Sequence, residues 1–212
     1  MQHVTSAALR AGARETCAQT TPTPAFAPVG RWELFDAVKA LRDELRLSRG
    51  ELEALRALFS FLPAKDRTTG QEAPIRANMV LVVYAANTTI LERTNGMSER
   101  ALRHHLQRLV DRGLVARRDS ANGKRFPIRR RGVVVDAFGL DLRPVFLQAA
   151  EILTRRADRL HDEEAARELR SRIRARRSEL LAWRASLPED LIGWLEDLGR
   201  RLRRRLCLLE LR

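Results

Sequence analysis

The chain has 212 residues, 44% of them hydrophobic and 32% charged, a composition with enough apolar material for a core that excludes a wholly disordered chain. Forty Lys and Arg against 27 Asp and Glu leave a formal charge of +13, which favours a polyanionic partner. No apolar run approaches the roughly 18 residues of a membrane span, and the N-terminus has no stretch long enough for a signal peptide, so a soluble, cytoplasmic protein with no membrane partner is expected.

In chain order, residues 1–30 read as a flexible N-terminal arm, because TTPTPAFAPVG holds three prolines and resists helix. Trp32, Leu34, Phe35, Val38, Leu41 and Leu45 recur at helical spacing and predict a helix over 31–46. Ser48 and Glu51 have the spacing of a capping box at the start of a second helix, which ends before Pro63. Residues 63–78 read as a surface loop, and MVLVVYA (79–85) as a strand. Asn87 is expected to cap a short helix that stops at Gly96. Ser98 is expected to cap the next, in which Leu102, Leu106, Leu109 and Val110 form one apolar stripe ending at Gly113. LVARRD then reads as a strand, SANG as a tight turn with Asn122-Gly123 at its tip, and KRFPI as the returning strand. GVVVDAF either adds a strand or leads into the next helix.

Helix, strand, short helix, turn, longer helix and hairpin, in that order, predict a mainly α fold. It would be a winged helix-turn-helix DNA-binding domain over 31–140 with a small β wing. A long helical or coiled-coil extension follows. Phe146, Ala150, Leu153, Ala157 and Leu160 form a narrow apolar seam that slips near Glu163-Glu164 and resumes at Ala166, Leu169 and Ile173, giving a long charged helix over 141–187. Residues 188–212 read as a C-terminal amphipathic helix, with a truncated second domain as one reading of its apolar end. Trp32 is expected in the core, and Trp183 and Trp194 as anchors of helix packing or as a partner interface. On these boundaries, removing 145–212 should leave a folded DNA-binding domain.

The charge concentrates where that fold needs it. Residues 99–131 carry eleven basic and three acidic side chains, a net +8. A helix entering the major groove needs one apolar face on its domain and one face of long donors. Opposite the stripe of 98–112 lie Arg100, His104, Gln107, Arg108 and Asp111, with Arg103 on the flank. Residues near the helix N-terminus enter deepest, so Ser98, Arg100, Arg103, His104 and Gln107 are candidates for base or phosphate contact. Arg108 and Arg112 are candidates for phosphate. A charged surface helix without a partner would look the same, but the basic hairpin that follows at once favours DNA. Arg117, Arg118, Asn122, Gly123, Lys124 and Arg125 are the candidate wing contacts over 115–129, with Arg129, Arg130 and Arg131 just beyond. Gly123 is explained equally by the positive φ of a turn. Thr88 and Thr89 open the short helix as caps or as phosphate contacts. If about six phosphates are neutralised, log K falls with log[salt] at a slope near −5.

Other chemistry finds little support. Cys17 and Cys207 are far apart and build neither a disulfide framework nor a four-ligand zinc site. His104-His105 are adjacent and diverge on a helix, and HDEEAAREL lacks the second His of a zinc motif. Asp136 and Asp141 have no third acid with them and read as a cap or salt-bridge pair. No phosphate-cradling G-x-x-x-x-G-K-[ST] occurs. No metal, no cofactor, no small-molecule partner and no enzymatic activity are expected.

The stretch LERTNGMSERALRHHLQRLVDRGLVARRDSANGKRF resembles the N-terminal DNA-binding region of the replication protein C family, initiators of partition-linked, low-copy plasmids of alphaproteobacteria. RRDSANGKR is the most specific part; RWELFDAVKALR, ALRALFSFLP and VDAFGLDLRPVF are similar to the family too, and the likeness covers about residues 31 to 180. The resemblance implies initiation of plasmid replication by binding double-stranded origin DNA, which in this family lies inside the initiator's own gene. It also implies that family members continue into a second domain. A homodimer or a replication-machinery partner is expected through the C-terminal helices. The rival functions are a winged-helix transcriptional regulator and an assembly protein that binds DNA without specificity through the 145–182 helix.

Overall fold

The computed structural model describes residues 25–63, 72–204 and 206–211; most of the expected arm, Cys17 and part of the 63–78 loop lie outside them. The described chain is mostly helical with one small antiparallel sheet. Its elements are α1 (Arg31–Ala40), α2 (Arg49–Phe59), β1 (Val82–Val83), α3 (Asn87–Leu91), α4 (Glu99–Asp111), β2 (Ala116–Arg118), β3 (Phe126–Arg130), β4 (Val133–Asp141), α5 (Arg143–Leu147), α6 (Ala149–Ala182), α7 (Glu189–Arg201) and α8 (Leu208–Leu211), with a 3-10 turn at Arg184–Ser186.

Helix α1 is shorter than the expected 31–46, but its path continues through turns to Arg46. There Leu47 N–H donates to Arg42 O and Arg46 N–H to Asp43 O, a Schellman closure with Arg46 at φ 54°. Ser48 and Glu51 form the expected capping box: the Ser48 hydroxyl accepts from Glu51 N–H, and the Glu51 carboxylate accepts from Ser48 N–H at 2.6 Å. The expected strand 79–85 is reduced to two residues, held against β4. Asn87 does not cap α3; Ala86 holds that position without a side-chain bond, and α3 ends at Leu91 rather than near Gly96.

One apolar core runs from Val29 to Ile152. Leu34, Val38 and Leu41 of the first helical segment, Leu55, Leu58 and Phe59 of α2, and Leu102, Leu106 and Leu109 of α4 are all buried in it. Phe59 and Phe26 each stack on Phe146, with ring centroids 5.4 and 5.6 Å away, so residues before α1 and within α5 close the same core. Val29, at the end of the expected arm, is buried and bridges to Ile75. Trp32 is half-buried against the core.

The sheet differs from the expected hairpin. Strands β2 and β3 do not pair with each other; β4 is their common partner. Ala116–Arg118 lie opposite 139–141, and Phe126–Arg130 lie opposite 133–138. GVVVDAF thus forms most of the central strand β4: its residues 133–138 pair with β3, and the strand's continuation through 139–141 pairs with β1 and β2. The true hairpin is β3–β4, turning at Arg131-Gly132, where φ values of 51° and 81° meet the need of a two-residue type I′ turn for positive φ at both central positions. The SANG turn forms, with Gly123 N–H donating to Ser120 O at 2.9 Å, but it caps the segment between β2 and β3.

Helix α6 also departs from the expected seam. Ala150, Ala157 and Leu160 are exposed. The covered side runs through Ala149, Ile152, Arg156, Arg159, Glu163, Ala166, Arg170, Ile173 and Arg177 without a slip. Arginine stems cover apolar surface while their heads reach polar partners, so a reading of apolar letters alone finds the wrong face. Its first turns pack on α1, and its second half packs on α7 and α8 of the same chain. Leu195 and Leu202 of that region are buried, whereas Trp183 and Trp194, expected as packing anchors or as a partner interface, are exposed and do not anchor packing within the chain.

Candidate nucleic-acid interface

Helix α4 begins where expected: the Ser98 hydroxyl accepts from Ala101 N–H at 3.3 Å, which satisfies one of the free amides of the first turn. Its buried stripe fixes its rotation, so Arg100, Arg103, His104, Gln107 and Asp111 all face solvent on one side. The helix is seated on α2 through a close approach at Gly50. A Cβ there would lie 2.2 Å from His105 Nε2, so a larger residue would force the His105 ring out of its place between the two helices.

The exposed face is organised by hydrogen bonds. Gln107 Oε1 accepts from Arg117 at 2.9 Å, and its Nε2 donates to Asp111 at 2.8 Å, which joins α4 to β2 and uses both polar atoms of the amide. Arg103 pairs with Glu99 one turn back. The Arg103 hydrogen bond and charge, with help from the Asn87 amide, hold the Glu99 carboxyl below its ordinary range and tie the start of α3 to the start of α4. Arg100 and His104 extend into solvent, with the His104 ring edge-on to His105. Thr88 is exposed in the first turn of α3.

Arg108 is placed elsewhere. It and Arg112 approach Glu51 Oε1, each at 3.5 Å, on the side of α4 that faces α2. Glu51 is buried, and burial opposes its ionisation. The Ser48 backbone N–H and hydroxyl, then the Arg112 charge, outweigh that and hold its pKa below the ordinary value. Arg108 thus completes a cap-and-charge cluster that locks α2 to α4.

The expected wing residues divide in the same way. Arg118 makes a bidentate pair with Asp136, at 2.5 and 2.9 Å. That hydrogen bonding raises the arginine's pKa and lowers the aspartate's. Arg125 donates to Ala85 O at 3.0 Å, and its burial, followed by the Arg117 charge, lowers its pKa. These two arginines bind the 119–125 segment and β2 to the sheet. Asn122 accepts from Ser120 Oγ and Lys124 N–H, shaping the turn, while Asn122, Gly123 and Lys124 remain exposed. Asp141 accepts from Arg143 N–H at 2.8 Å at the start of α5.

The residues missed as the principal hairpin tip are Arg129, Arg130 and Arg131. All three are exposed, and only Arg129 has an internal partner, the Gly132 carbonyl at 3.3 Å. The signal lay in Arg131-Gly132 followed by a Val run, a turn before a β-branched strand, which the stronger Asn122-Gly123 cue outranked. The candidate interface thus has three parts: the donor face of α4 with Arg117, the exposed turn 122–124, and the arginine tip 129–131. Among the described residues no group of three or more His, Cys, Asp or Glu is arranged to hold a metal ion, and no helix is long and apolar enough to cross a membrane.

The family model for the replication protein C N-terminal domain matches residues 2–186. A protein of Sinorhizobium fredii (strain NBRC 101917 / NGR234) named "Putative replication protein C" is 37% identical over 123 residues, which is 58% of this chain and 28% of that protein. A protein of the same name from Rhizobium rhizogenes is 34% identical over 123 residues, with the same two coverages. The aligned segment therefore spans little more than a quarter of either relative. No solved structure matches.

Proposed function

Because the chain belongs to the replication protein C family, by way of that family's N-terminal domain, we propose that it binds double-stranded DNA at a plasmid origin of replication. The fold acts as a winged helix-turn-helix: α3 and α4 form the helix-turn-helix, α4 enters the major groove, and the β3–β4 hairpin is the wing. One observation carries this reading. Arg100, Arg103, His104 and Gln107 share the face of α4 opposite its buried stripe, and Gln107 is bonded to Arg117 of the sheet that bears the arginine-tipped hairpin. Long donors on the outer face of a seated helix are what base edges and phosphates require. The protein works by binding and carries out no bond-making step itself.

The test is a fluorescence-anisotropy titration at a stated salt concentration, with duplexes tiled across the protein's own coding region and scrambled controls. Selective binding to one tile, about 10³-fold over the controls, supports origin recognition. Equal, weak binding to every duplex with a steep salt slope overturns it and leaves a non-specific basic surface. Selective binding to a site outside the coding region would instead fit a transcriptional regulator.

A further inference from the structure

The β3–β4 hairpin carries more apolar surface than a solvated wing needs. Val133 is 66% exposed, Val135 47%, Phe126 40% and Ile128 38%; these are four of the eleven large apolar side chains exposed among the described residues, gathered within ten positions. Val133 pairs with Arg130 next to the turn. Val135 is the extra residue of a β-bulge, because the register moves from Ile128 opposite Asp136 to Arg129 opposite Val134. The charge on the incoming arm and tip of the same hairpin has one sign. KRFPIRRR, residues 124–131, holds five basic side chains and no acid, and the nearby Asp136 is neutralised by Arg118.

An apolar ribbon with a cationic tip fits a surface that offers anions outside and apolar faces within. A DNA duplex offers this, with phosphates along the groove and stacked bases beneath. The undistorted minor groove is about 6 Å wide. Two strands about 4.8 Å apart between backbones, with side chains added, are broader than that. Entry of the hairpin must therefore widen the groove, and apolar side chains following the arginines would then meet the exposed edge of a base step. Apolar wedges that partly unstack a step kink the duplex.

We propose that the β3–β4 hairpin is a DNA-distorting wedge: Arg129, Arg130 and Arg131 draw it into the minor groove, and Val133 and Val135 open a base step and bend the duplex. This rests on the DNA-binding reading and adds an activity to it. It assigns affinity for phosphate to the arginines and the cost and benefit of distortion to the apolar residues.

The experiment uses the full chain and a short duplex of the selected tile with donor and acceptor dyes at its ends. Wild-type protein should raise energy transfer as it binds. The Val133→Thr/Val135→Thr variant keeps side-chain shape and strand preference at exposed positions, and an unchanged thermal transition confirms its fold. It should leave the duplex straight and bind the intact duplex about tenfold or more weakly. On a duplex with two adjacent mismatches, where unstacking costs little, it should bind almost as the wild type does. Its salt slope should be unchanged, whereas replacing Arg129, Arg130 and Arg131 with Ala should make the slope shallower. Wild-type binding without bending overturns the wedge and leaves DNA recognition intact. The wedge also fails if the double-Thr variant bends DNA normally or loses equal affinity on intact and mismatched duplexes. A change in sedimentation with the bend unaltered would instead make the patch a protein contact. Failure of the wild type to bind any duplex would overturn the DNA-binding reading itself.

Discussion

The body from Val29 to Ile152 and the outer half of α6 with α7 and α8 are held together by different forces. In the body, Phe59, Phe146 and twenty-one Leu, Ile and Val side chains share one buried cluster. In the outer part, Ala166, Leu195 and Leu202 are the buried apolar residues among those described. There the helices are joined by arginines of α6 that donate to backbone carbonyls: Arg170 to Leu206 O at 2.8 Å, Arg174 to Leu202 O at 2.9 Å and Arg177 to Leu195 O at 2.6 Å. Apolar burial contributes about 25 cal/mol per Å², and it is cooperative because each side chain touches many others. These part-buried, charge-assisted bonds each tie one side chain to one carbonyl, so they act locally, and they weaken in salt where they reach solvent. The body should therefore unfold as one unit and the outer helices should open beneath that limit.

The largest test is where the chain can be cut. Val145, Phe146, Ala149 and Ile152 lie beyond the expected end of the DNA-binding domain at 140, yet all are buried in the body's core. Removing 145–212 takes them away and should abolish cooperative unfolding, read by circular dichroism. Removing 165–212 keeps them, together with the bond from Arg159 to Ala40 O, and should leave a folded body. If the shorter fragment folds as well as the longer, the core as drawn is wrong. Next in size, Phe59→Ala should cost about 3–5 kcal/mol in denaturant titration, because it leaves a cavity between Phe35 and Phe146. Leu195→Ala should leave the main transition in place and remove protection only from the outer helices. Equal shifts of the main transition in the two variants would make the molecule one cooperative block.

What the sequence made legible follows the same division. Body helices have wide apolar stripes and conventional caps, so the Ser48–Glu51 box and the Leu102, Leu106, Leu109 stripe could be placed residue by residue. The sheet was harder, because pairing is a long-range choice: Asn122-Gly123 is a strong local turn signal, but nothing local says that Val133–Asp141 will take both flanking strands. In the candidate interface, the exposed face of α4 follows from periodicity alone. The partners of Arg108, Arg118 and Arg125 do not, since Glu51, Asp136 and the Ala85 carbonyl are 57, 18 and 40 positions away. On α6 a seam made of arginine stems is invisible to a hydrophobicity pattern.

A third test uses pH on the body alone. The Glu51 pKa is lowered in the folded state, so its contribution is complete above the unfolded carboxyl value of about 4.3 and is lost as pH falls through the lower folded value. Glu51→Gln should cost about 1–2 kcal/mol at neutral pH, by loss of the charge that faces Arg108 and Arg112. The gap between wild type and variant should close as pH drops below about 4.3, in urea titrations at stepped pH. A gap that stays constant with pH would show that the carboxylate acts through shape and capping and not through charge.

The smallest effect is the sharpest on the division itself. Arg174 donates to the carbonyl of Leu202, the residue that ends α7, where the helix dipole presents its negative end. Such a contact contributes about 0.3–1 kcal/mol and is screened by salt. Arg174→Ala should therefore raise amide hydrogen exchange in α7 by about two- to fivefold, the kinetic equivalent of that energy, and leave α2 and α4 unchanged. Raising salt on the wild type should move α7 in the same direction. Exchange that rises together in α7 and α4 would mean that opening of the outer helices is coupled to the proposed DNA-binding face. Exchange confined to α7 would mean that α6 can lose its partners while α4 stays seated on α2.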